Sequence, residues 1–238
     1  MSVLCPFGRW LFPLFPLLFA AAAQADSASD FVEPSKLDPT IRIELPYATA
    51  DNFCKKKLYP VERCFLRRAV AERLVEAHRS LAKEGLGIKI WDGYRPHSVQ
   101  YLMWDASPSP GYVGHPQLGS KHNRGAAVDV TLVELETGKE CEMPTPYDEF
   151  SPRAHLNYFK VSEGVAANRK RLQTAMRAAG FLPIDSEWWH FDYRNWADFP
   201  LANFPIEDLA AESDAAQAKQ DAAAEKPAPP TSAAPSTR

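Results

Sequence analysis

The chain has 238 residues, 45% of them hydrophobic and 24% charged, which is the composition of an ordinary globular protein. Its formal net charge is −3, and its basic run at residues 55–57 is too short to follow a phosphate backbone. Nucleic acid and anionic membrane surfaces are therefore not expected as partners. The length suits one sizeable domain or at most two small ones.

The first 25 residues have the three-part pattern of a secretory signal peptide. Arg9 precedes an apolar run at residues 10–20, and small residues follow up to Ala25, after which we expect cleavage. The alternative is a retained membrane anchor, but the run is shorter than the ~20 residues of a spanning helix and contains Pro13 and Pro16. The pattern predicts export to the periplasm, with no stable membrane association after the signal peptide is removed.

Removal of the signal peptide leaves three cysteines, Cys54, Cys64 and Cys141. An exported protein meets an oxidising compartment, so a disulfide bond is permitted. Cys54 and Cys64 are close in sequence and form the preferred pair. Three cysteines allow three pairings, however, and the sequence does not decide among them.

Apolar periodicity divides the rest of the chain into strands, helices and two terminal segments. We expect a loose segment at 26–36, one folded domain at 37–204 and a disordered, Ala/Pro-rich tail at 210–238. The patterns predict strands at 40–45, 87–91, 127–135 and 187–193. They predict helices at 61–84, 98–105 and 168–179. Strands and helices without regular β-α-β alternation favour the α+β class, with a single domain and a mainly antiparallel sheet.

Two histidines and one aspartate, His122, Asp129 and His190, form a candidate metal-binding set. Alternation along the predicted strand places Asp129 on the face opposite the apolar Val128 and Val130. Two imidazole nitrogens and one carboxylate oxygen suit a catalytic Zn²⁺ site whose fourth position is left for water. The alternative is a structural ion pair between His122 and Asp129. We favour the metal site because His190 completes the set.

Glu187 and Arg95 supply the other groups that hydrolysis of a peptide bond needs. Glu187 lies three residues before His190, and two neighbouring tryptophans would raise the pKa of its carboxyl group toward that of a general base. Arg95 can donate two directed hydrogen bonds to the carbonyl oxygen as negative charge develops there. The alternatives are a surface carboxylate for Glu187 and a salt bridge to Asp92 for Arg95.

Three motifs carry a resemblance to a known family: WDGYRP at 91–96, SKHNRGAAVD at 120–129 and EWWH at 187–190. The chain resembles the D-alanyl-D-alanine dipeptidases, which are zinc peptidases. The second and third motifs are shared, in looser form, with zinc D,D-carboxypeptidases and hedgehog domains. The first motif, YATADNF at 47–53 and the doubled tryptophan are more specific to the dipeptidases. The resemblance implies the fold of hedgehog domains and D,D-peptidases for the catalytic domain.

Carried over residue by residue, the resemblance implies one zinc ion per chain, bound by His122, Asp129 and His190. It implies that Glu187 is the general base and that Arg95 stabilises the oxyanion. The cofactor suggested by the residue types and the cofactor of the family are therefore the same.

The resemblance also implies a dipeptide substrate and three residues that bind its ends: Ser120, Tyr47 and Asp148. Asp148 would hold the free amino group, although the residues alone indicate only an acid in a loop. The implied reaction is hydrolysis of D-Ala-D-Ala to two D-alanines. One alternative is a zinc D,D-carboxypeptidase that acts on peptidoglycan stem peptides, and another is a zinc-stabilised binding module without activity.

Overall fold

The computed structural model describes residues 27–108 and 111–224, so the signal peptide predicted at 1–25 lies outside the described residues. The strands are β1 (Phe31–Val32), β2 (Arg42–Ile43), β3 (Leu66–Arg67), β4 (Leu86–Asp92), β5 (Ala127–Glu134), β6 (Phe181–Ile184) and β7 (Glu187–Tyr193). The helices are α1 (Pro34–Leu37), α2 (Arg68–Ala82), α3 (His97–Ala106), α4 (Glu163–Ala178) and α5 (Ile206–Ala224). Among the described residues, no helix has the length and apolar character that crossing a bilayer requires.

Five strands form the main sheet in the order β2-β4-β5-β7-β6. The edge strand β2 runs parallel to β4, and the other three pairs are antiparallel. A separate ribbon pairs β1 with β3. The domain is therefore α+β with a mainly antiparallel sheet, as the sequence predicts.

The long helices α2 and α4 pack against each other and against the sheet, and they close the hydrophobic core. Val128, Val130 and Leu132 alternate along β5 and are fully buried in this core. Each such side chain contributes roughly 1.5–3 kcal/mol when it leaves water. Burial of this apolar row fixes which face of β5 the intervening Asp129 occupies.

Most predicted elements are present, with ends shifted by local constraints. The helix predicted at 61–84 begins only at Arg68, because residues 66–67 pair with β1 instead. The strand predicted at 40–45 is reduced to Arg42–Ile43. Strand β6 is absent from the prediction, because Pro183 interrupts the alternation of apolar and polar residues. Pro183 is tolerated because β6 is an edge strand, where a missing backbone N–H breaks no hydrogen bond of the sheet.

Both terminal predictions are wrong where the structure describes the chain. Part of the segment expected to be loose at 26–36 forms β1 and α1. Helix α5 continues to Ala224, although the tail at 210–238 was expected to be disordered. Residues 225–238 lie outside the described part of the chain. The Ala-rich composition of the tail indicated disorder because alanine adds little to a core. Alanine is also the strongest helix former, however, and the described part of the tail is helical.

Side chains of the N-terminal region hold the first turns of α5. Leu209 is buried, and Asp214 forms hydrogen bonds to Arg63 at 2.8 and 2.9 Å. Arg63 also donates to the buried carboxylate of Glu33, and Lys36 donates to Ser213 at 2.8 Å. The two ends of the described chain therefore stabilise one another.

Cys54, Cys64 and Cys141 are all free thiols, so the pairing suggested for Cys54 and Cys64 is not formed. Their surroundings differ. The sulfur of Cys64 packs closely over Gly93, where an added Cβ would lie only 2.5 Å from it. Burial and the nearby carboxylate of Asp148 raise the pKa of Cys54 to about 11.

Candidate metal centre

The register of the central strands brings the candidate metal ligands together. Asp129 on β5 lies directly opposite His190 on β7, and Asp92 at the end of β4 lies opposite Asp129 on its other side. His122 enters from a 3-10 turn that ends at Gly125, whose φ of 66° lies in the left-handed region. One potential ligand atom from each of His122, Asp129 and His190 lies within 4.8 Å of the other two, and all three residues are buried.

The distances between the three ligand atoms fit tetrahedral zinc. Nε2 of His122 lies 3.1 Å from Nδ1 of His190 and 3.4 Å from Oδ1 of Asp129. Nδ1 of His190 lies 2.9 Å from the same oxygen. Two ligands bonded at 2.0–2.1 Å in a tetrahedron are about 3.3 Å apart. One ion could therefore contact all three atoms with little rearrangement.

Neighbouring groups fix which atom of each ligand faces the centre. Nδ1 of His122 donates to the carbonyl oxygen of Gly93 at 2.7 Å, because that oxygen can only accept. Nε2 of His190 donates to the carboxylate of Asp192 at 2.9 Å. The lone pairs of the other two ring nitrogens are thus left for a cation, as in the carboxylate–histidine–metal arrangement.

The hydroxyl group of Tyr147 fixes the third ligand. It donates to Oδ2 of Asp129 at 2.8 Å, which leaves Oδ1 directed toward the two histidines. The ring of Tyr147 stacks on Trp91 with centroids 4.8 Å apart, so the hydroxyl group is held by packing as well.

The electrostatics of the cluster favour a positive charge at its centre. Burial alone would lower the pKa of His190, but hydrogen bonds to Asp129 and Asp192 raise it to about 10. Burial alone would raise the pKa of Asp129, but His122 and His190 hold it well below its ordinary value. Together the donor set, the spacing and the charge fit a divalent cation.

One cavity of about 260 Å³ adjoins this cluster, and all eight residues singled out from the sequence line it. They are Tyr47, Arg95, Ser120, His122, Asp129, Asp148, Glu187 and His190. The volume lies just below the ~300–1,000 Å³ typical of small-molecule sites. Residues separated by up to 143 positions in sequence therefore meet around one small space.

Glu187 lies in this cavity and is not a surface carboxylate. It is only 6% exposed, and its Oε2 lies 3.9 Å from Nδ1 of His190. Residues three apart on a regular strand face opposite sides of the sheet. Here the pairing of β6 with β7 is irregular: Pro183 pairs with Phe191, but the next residue, Ile184, pairs with Glu187. Burial, reinforced by nearby carboxylates, raises the pKa of Glu187 to about 8.

Arg95 forms the salt bridge considered as its alternative role and also lines the cavity. Its Nε and Nη2 donate to Asp92 at 3.2 and 2.6 Å, and its Nη1 donates to Gln100 at 2.8 Å. These bonds use three of the five guanidinium N–H groups. Arg95 therefore lies at the cavity with its guanidinium held in place by Asp92 and Gln100.

Of the remaining three predicted residues, Ser120 and Asp148 lie in loops and Tyr47 lies in a short 3-10 helix, Pro46–Ala48. The hydroxyl group of Tyr47 donates to Oδ2 of Asp148 at 2.8 Å. Burial raises the pKa of Asp148 to about 8, and its backbone φ of 58° lies in the left-handed region, which is uncommon for a residue other than glycine. The hydroxyl oxygen of Ser120 accepts a hydrogen bond from the backbone N–H of His122 at 3.3 Å.

Sequence reasoning missed the residues that orient the site. Asp192 had a usable signal, since it follows His190 by two positions on a strand and so shares its face. Tyr147 and Gln100 had none, because they reach the site from a loop and from α3. Contacts between distant segments leave no periodic trace in a single sequence.

Comparison with known proteins agrees with this geometry. The peptidase M15 family model, described as D-ala-D-ala dipeptidase, matches residues 27–206. A D-alanyl-D-alanine dipeptidase of Escherichia coli K12 is 36% identical over 173 residues, which cover 73% of this chain and 89% of that protein. One from Enterococcus faecium is 33% identical over 190 residues, with 68% and 93% covered.

Among solved structures, an LD-carboxypeptidase matches with 17% sequence identity and a TM-score of 0.40. The match covers 84% of this chain and 76% of the LD-carboxypeptidase chain. A likeness of that size supports no conclusion. The family match covers most of the chain, and the two dipeptidases exceed 30% identity over most of their own length. The chain is therefore an enzyme that belongs to the D-Ala-D-Ala dipeptidases of peptidase family M15.

Proposed function

We propose that the protein hydrolyses D-Ala-D-Ala to two D-alanines, with one zinc ion bound by His122, Asp129 and His190. The observation that carries this proposal is that every residue the reaction needs lines one cavity of about 260 Å³. The names of the relatives support the substrate. Zinc in a site of this kind supplies Lewis-acid catalysis of hydrolysis.

Glu187 moves the proton in this proposal. Its carboxylate takes a proton from the attacking water as the water oxygen bonds to the peptide carbon, and it passes that proton to the leaving nitrogen as the C–N bond breaks. Burial favours this role, because a carboxyl group with a raised pKa can both accept and return a proton near neutral pH.

Arg95 stabilises the negative charge that develops on the carbonyl oxygen. Asp92 and Gln100 hold its guanidinium in place before substrate arrives, so little reorganisation is needed during the reaction. Because Arg95 lines the cavity, its guanidinium can donate to that oxygen.

The loop residues bind the two charged ends of the dipeptide. Asp148, held by Tyr47, accepts hydrogen bonds from the free amino group, and Ser120, which lines the same cavity, contributes a hydroxyl group. Removing an ammonium and a carboxylate from water is costly, so each end needs a partner inside the cavity. The small volume then favours a dipeptide over a longer chain.

Metal analysis together with a dipeptide assay tests the function. We expect one zinc ion per purified chain, and we expect chelation to abolish release of D-alanine from D-Ala-D-Ala until zinc is restored. Release from a pentapeptide that ends in D-Ala-D-Ala is the comparison. A higher kcat/KM for the pentapeptide would instead favour the D,D-carboxypeptidase alternative.

Replacing the general base separates catalysis from metal binding. We expect Glu187→Gln to lower kcat by roughly 10²–10⁴-fold, because the amide cannot accept the proton. Zinc content should stay at the wild-type level. Glu72→Gln removes an exposed carboxylate on α2 and is the matched control. Wild-type turnover in Glu187→Gln would disprove the role of this residue.

Removing one hydroxyl group tests the support of the ligand Asp129. We expect Tyr147→Phe to weaken zinc binding by about 10–100-fold, because Oδ2 of Asp129 loses its donor while the stacked ring is kept. Competition with a chromogenic chelator measures the dissociation constant. Tyr101→Phe makes the same change at a side chain that is 45% exposed, and it should have no effect. Equal zinc affinity in both variants would contradict this prediction.

We also propose that the enzyme works in the periplasm. The sequence pattern at residues 1–25 supports this proposal. Protein recovered from the periplasmic fraction should have the mass of a chain that begins at Asp26. Recovery of the uncleaved chain with a cytoplasmic marker enzyme would exclude export.

A further inference from the structure

One wall of the catalytic cavity is a loop that runs from Gly111 to Lys121, directly before His122. Both ends of this wall loop, residues 111–114 and 119–121, line the cavity. Under the proposed function, Ser120 contributes a hydroxyl group to the substrate from this loop. The position of the wall loop therefore affects how a substrate is held.

One face of α3 holds the middle of the wall loop. Nε2 of His97 donates to the backbone carbonyl oxygen of Pro116 at 2.7 Å, because that oxygen can only accept. Nε2 of Gln100 donates to the backbone carbonyl oxygen of Gly114 at 2.8 Å. Residues three apart on a helix lie on the same face, so these two contacts seat the loop on α3 together.

Gln100 also contacts Arg95. Its Oε1 accepts a hydrogen bond from Nη1 of Arg95 at 2.8 Å, and its side chain is fully buried. A guanidinium can only donate and the carbonyl group of Gly114 can only accept, so the amide of Gln100 has one possible orientation. Movement of either partner would leave a buried polar group without its hydrogen bond, which is costly. A single side chain therefore links the guanidinium to the wall loop.

A second buried amide, Asn123, links the other end of the wall loop to the same arginine. Its Nδ2 donates to the backbone carbonyl oxygen of Arg95 at 2.9 Å, and its Oδ1 accepts a hydrogen bond from the backbone N–H of Ser120 at 2.7 Å. This side chain is also fully buried. Arg95 is thus linked to both of the stretches of the wall loop that line the cavity.

We propose that Gln100 and Asn123 are positioning residues that couple the wall loop to Arg95, so that a substrate seated against the loop also sets the position of the arginine. The inference rests on the proposed function, which assigns the oxyanion to Arg95. Asp92 can retain the guanidinium without the loop, since it accepts hydrogen bonds from both Nε and Nη2. The two amides make the position of Arg95 depend on the loop as well. Binding energy gained at the loop is then used in the transition state, where it raises kcat.

An isosteric substitution cuts the link at Gln100 on one side only. Gln100→Glu keeps an oxygen for Nη1 of Arg95 but places its other oxygen against the carbonyl group of Gly114. We expect kcat for D-Ala-D-Ala to fall about tenfold in the zinc-loaded, full-length enzyme, because a small misplacement of a catalytic group is costly. Gln100→Met cuts both sides without adding a charge and should lower kcat at least as far. Wild-type turnover in Gln100→Glu would mean that Gln100 merely holds Arg95, and it would overturn the proposal.

Asn123→Asp cuts the second link on the opposite side. It keeps the acceptor for the backbone N–H of Ser120 and loses the donor to Arg95, so kcat should fall while zinc content stays at the wild-type level. Melting temperatures identify a variant that fails to fold, and Asn123→Asp decides the question if the Gln100 variants do. Gln117→Glu makes the same amide-to-acid change at an exposed position of the wall loop and should match the wild type. An equal loss of kcat in Gln117→Glu would reveal a general effect of charge and would count against the coupling.

A double-variant cycle shows whether Gln100 acts through Arg95. Arg95→Lys keeps a positive charge beside Asp92 but lacks the second arm that reaches Gln100. In this background Gln100→Glu should have little further effect on kcat, because the interaction through which it acts is already lost. The same fold loss in both backgrounds would indicate a general structural role and would contradict the coupling.

Hydrogen exchange separates this inference from the proposed function. Coupling acts in both directions, so a disturbed arginine should loosen the wall loop. We expect Arg95→Lys to speed amide exchange at residues 111–121 severalfold in the zinc-loaded enzyme and to leave exchange in α4 unchanged. This result would support the coupling even if the wild-type enzyme released no D-alanine from D-Ala-D-Ala, which would count against the proposed function alone. Unchanged exchange in the wall loop would overturn the coupling while leaving a positive dipeptide assay intact.

Discussion

The site depends on one row of residues across three strands: Asp92 on β4, Asp129 on β5 and His190 on β7. Strand register sets this row, and a shift of one residue would turn Asp129 into the core and one of its apolar neighbours toward the cavity. The buried residues Val128, Val130 and Leu132 oppose such a shift, because each would lose its place among apolar side chains. Packing of the core thereby fixes the geometry of the candidate metal centre.

Asp92 connects this row to the rest of the site. It is fully buried and accepts hydrogen bonds from Tyr59, from the backbone N–H of Gly93 and from Arg95. Leaving one member of a buried ion pair without its partner costs about 3–5 kcal/mol, a large part of the stability of a domain. The pairing that orients Arg95 is therefore a requirement of the fold as well as of the proposed chemistry. The backbone carbonyl group of Gly93, the next residue after Asp92, orients His122.

The sequence predicted which residues meet at the cavity better than it predicted the contacts that support them. The strand at Glu187–Tyr193 has the predicted bounds, and His122, Asp129 and His190 converge, because metal-ligand chemistry and strand alternation are local patterns. Tyr147 could not be predicted, since its contact with Asp129 depends on the path of a loop. Helix α5 was missed because the ion pairs that dock its first turns join segments about 150 residues apart. Long-range contacts of this kind decide the ends of the domain.

The residues of the candidate site lie partly on the central strands and partly on loops. Asp129, His190 and Glu187 lie on central strands, where the backbone ladder and the core hold them. Of the proposed substrate-binding residues, Ser120 and Asp148 lie on loops, which tolerate change far better than strands do. Catalysis needs its groups held within a fraction of an ångström, whereas the proposed contacts to the ends of the substrate come from loops. A substitution in these loops can therefore alter the contacts made with a bound molecule without moving the strands that hold Asp129, His190 and Glu187.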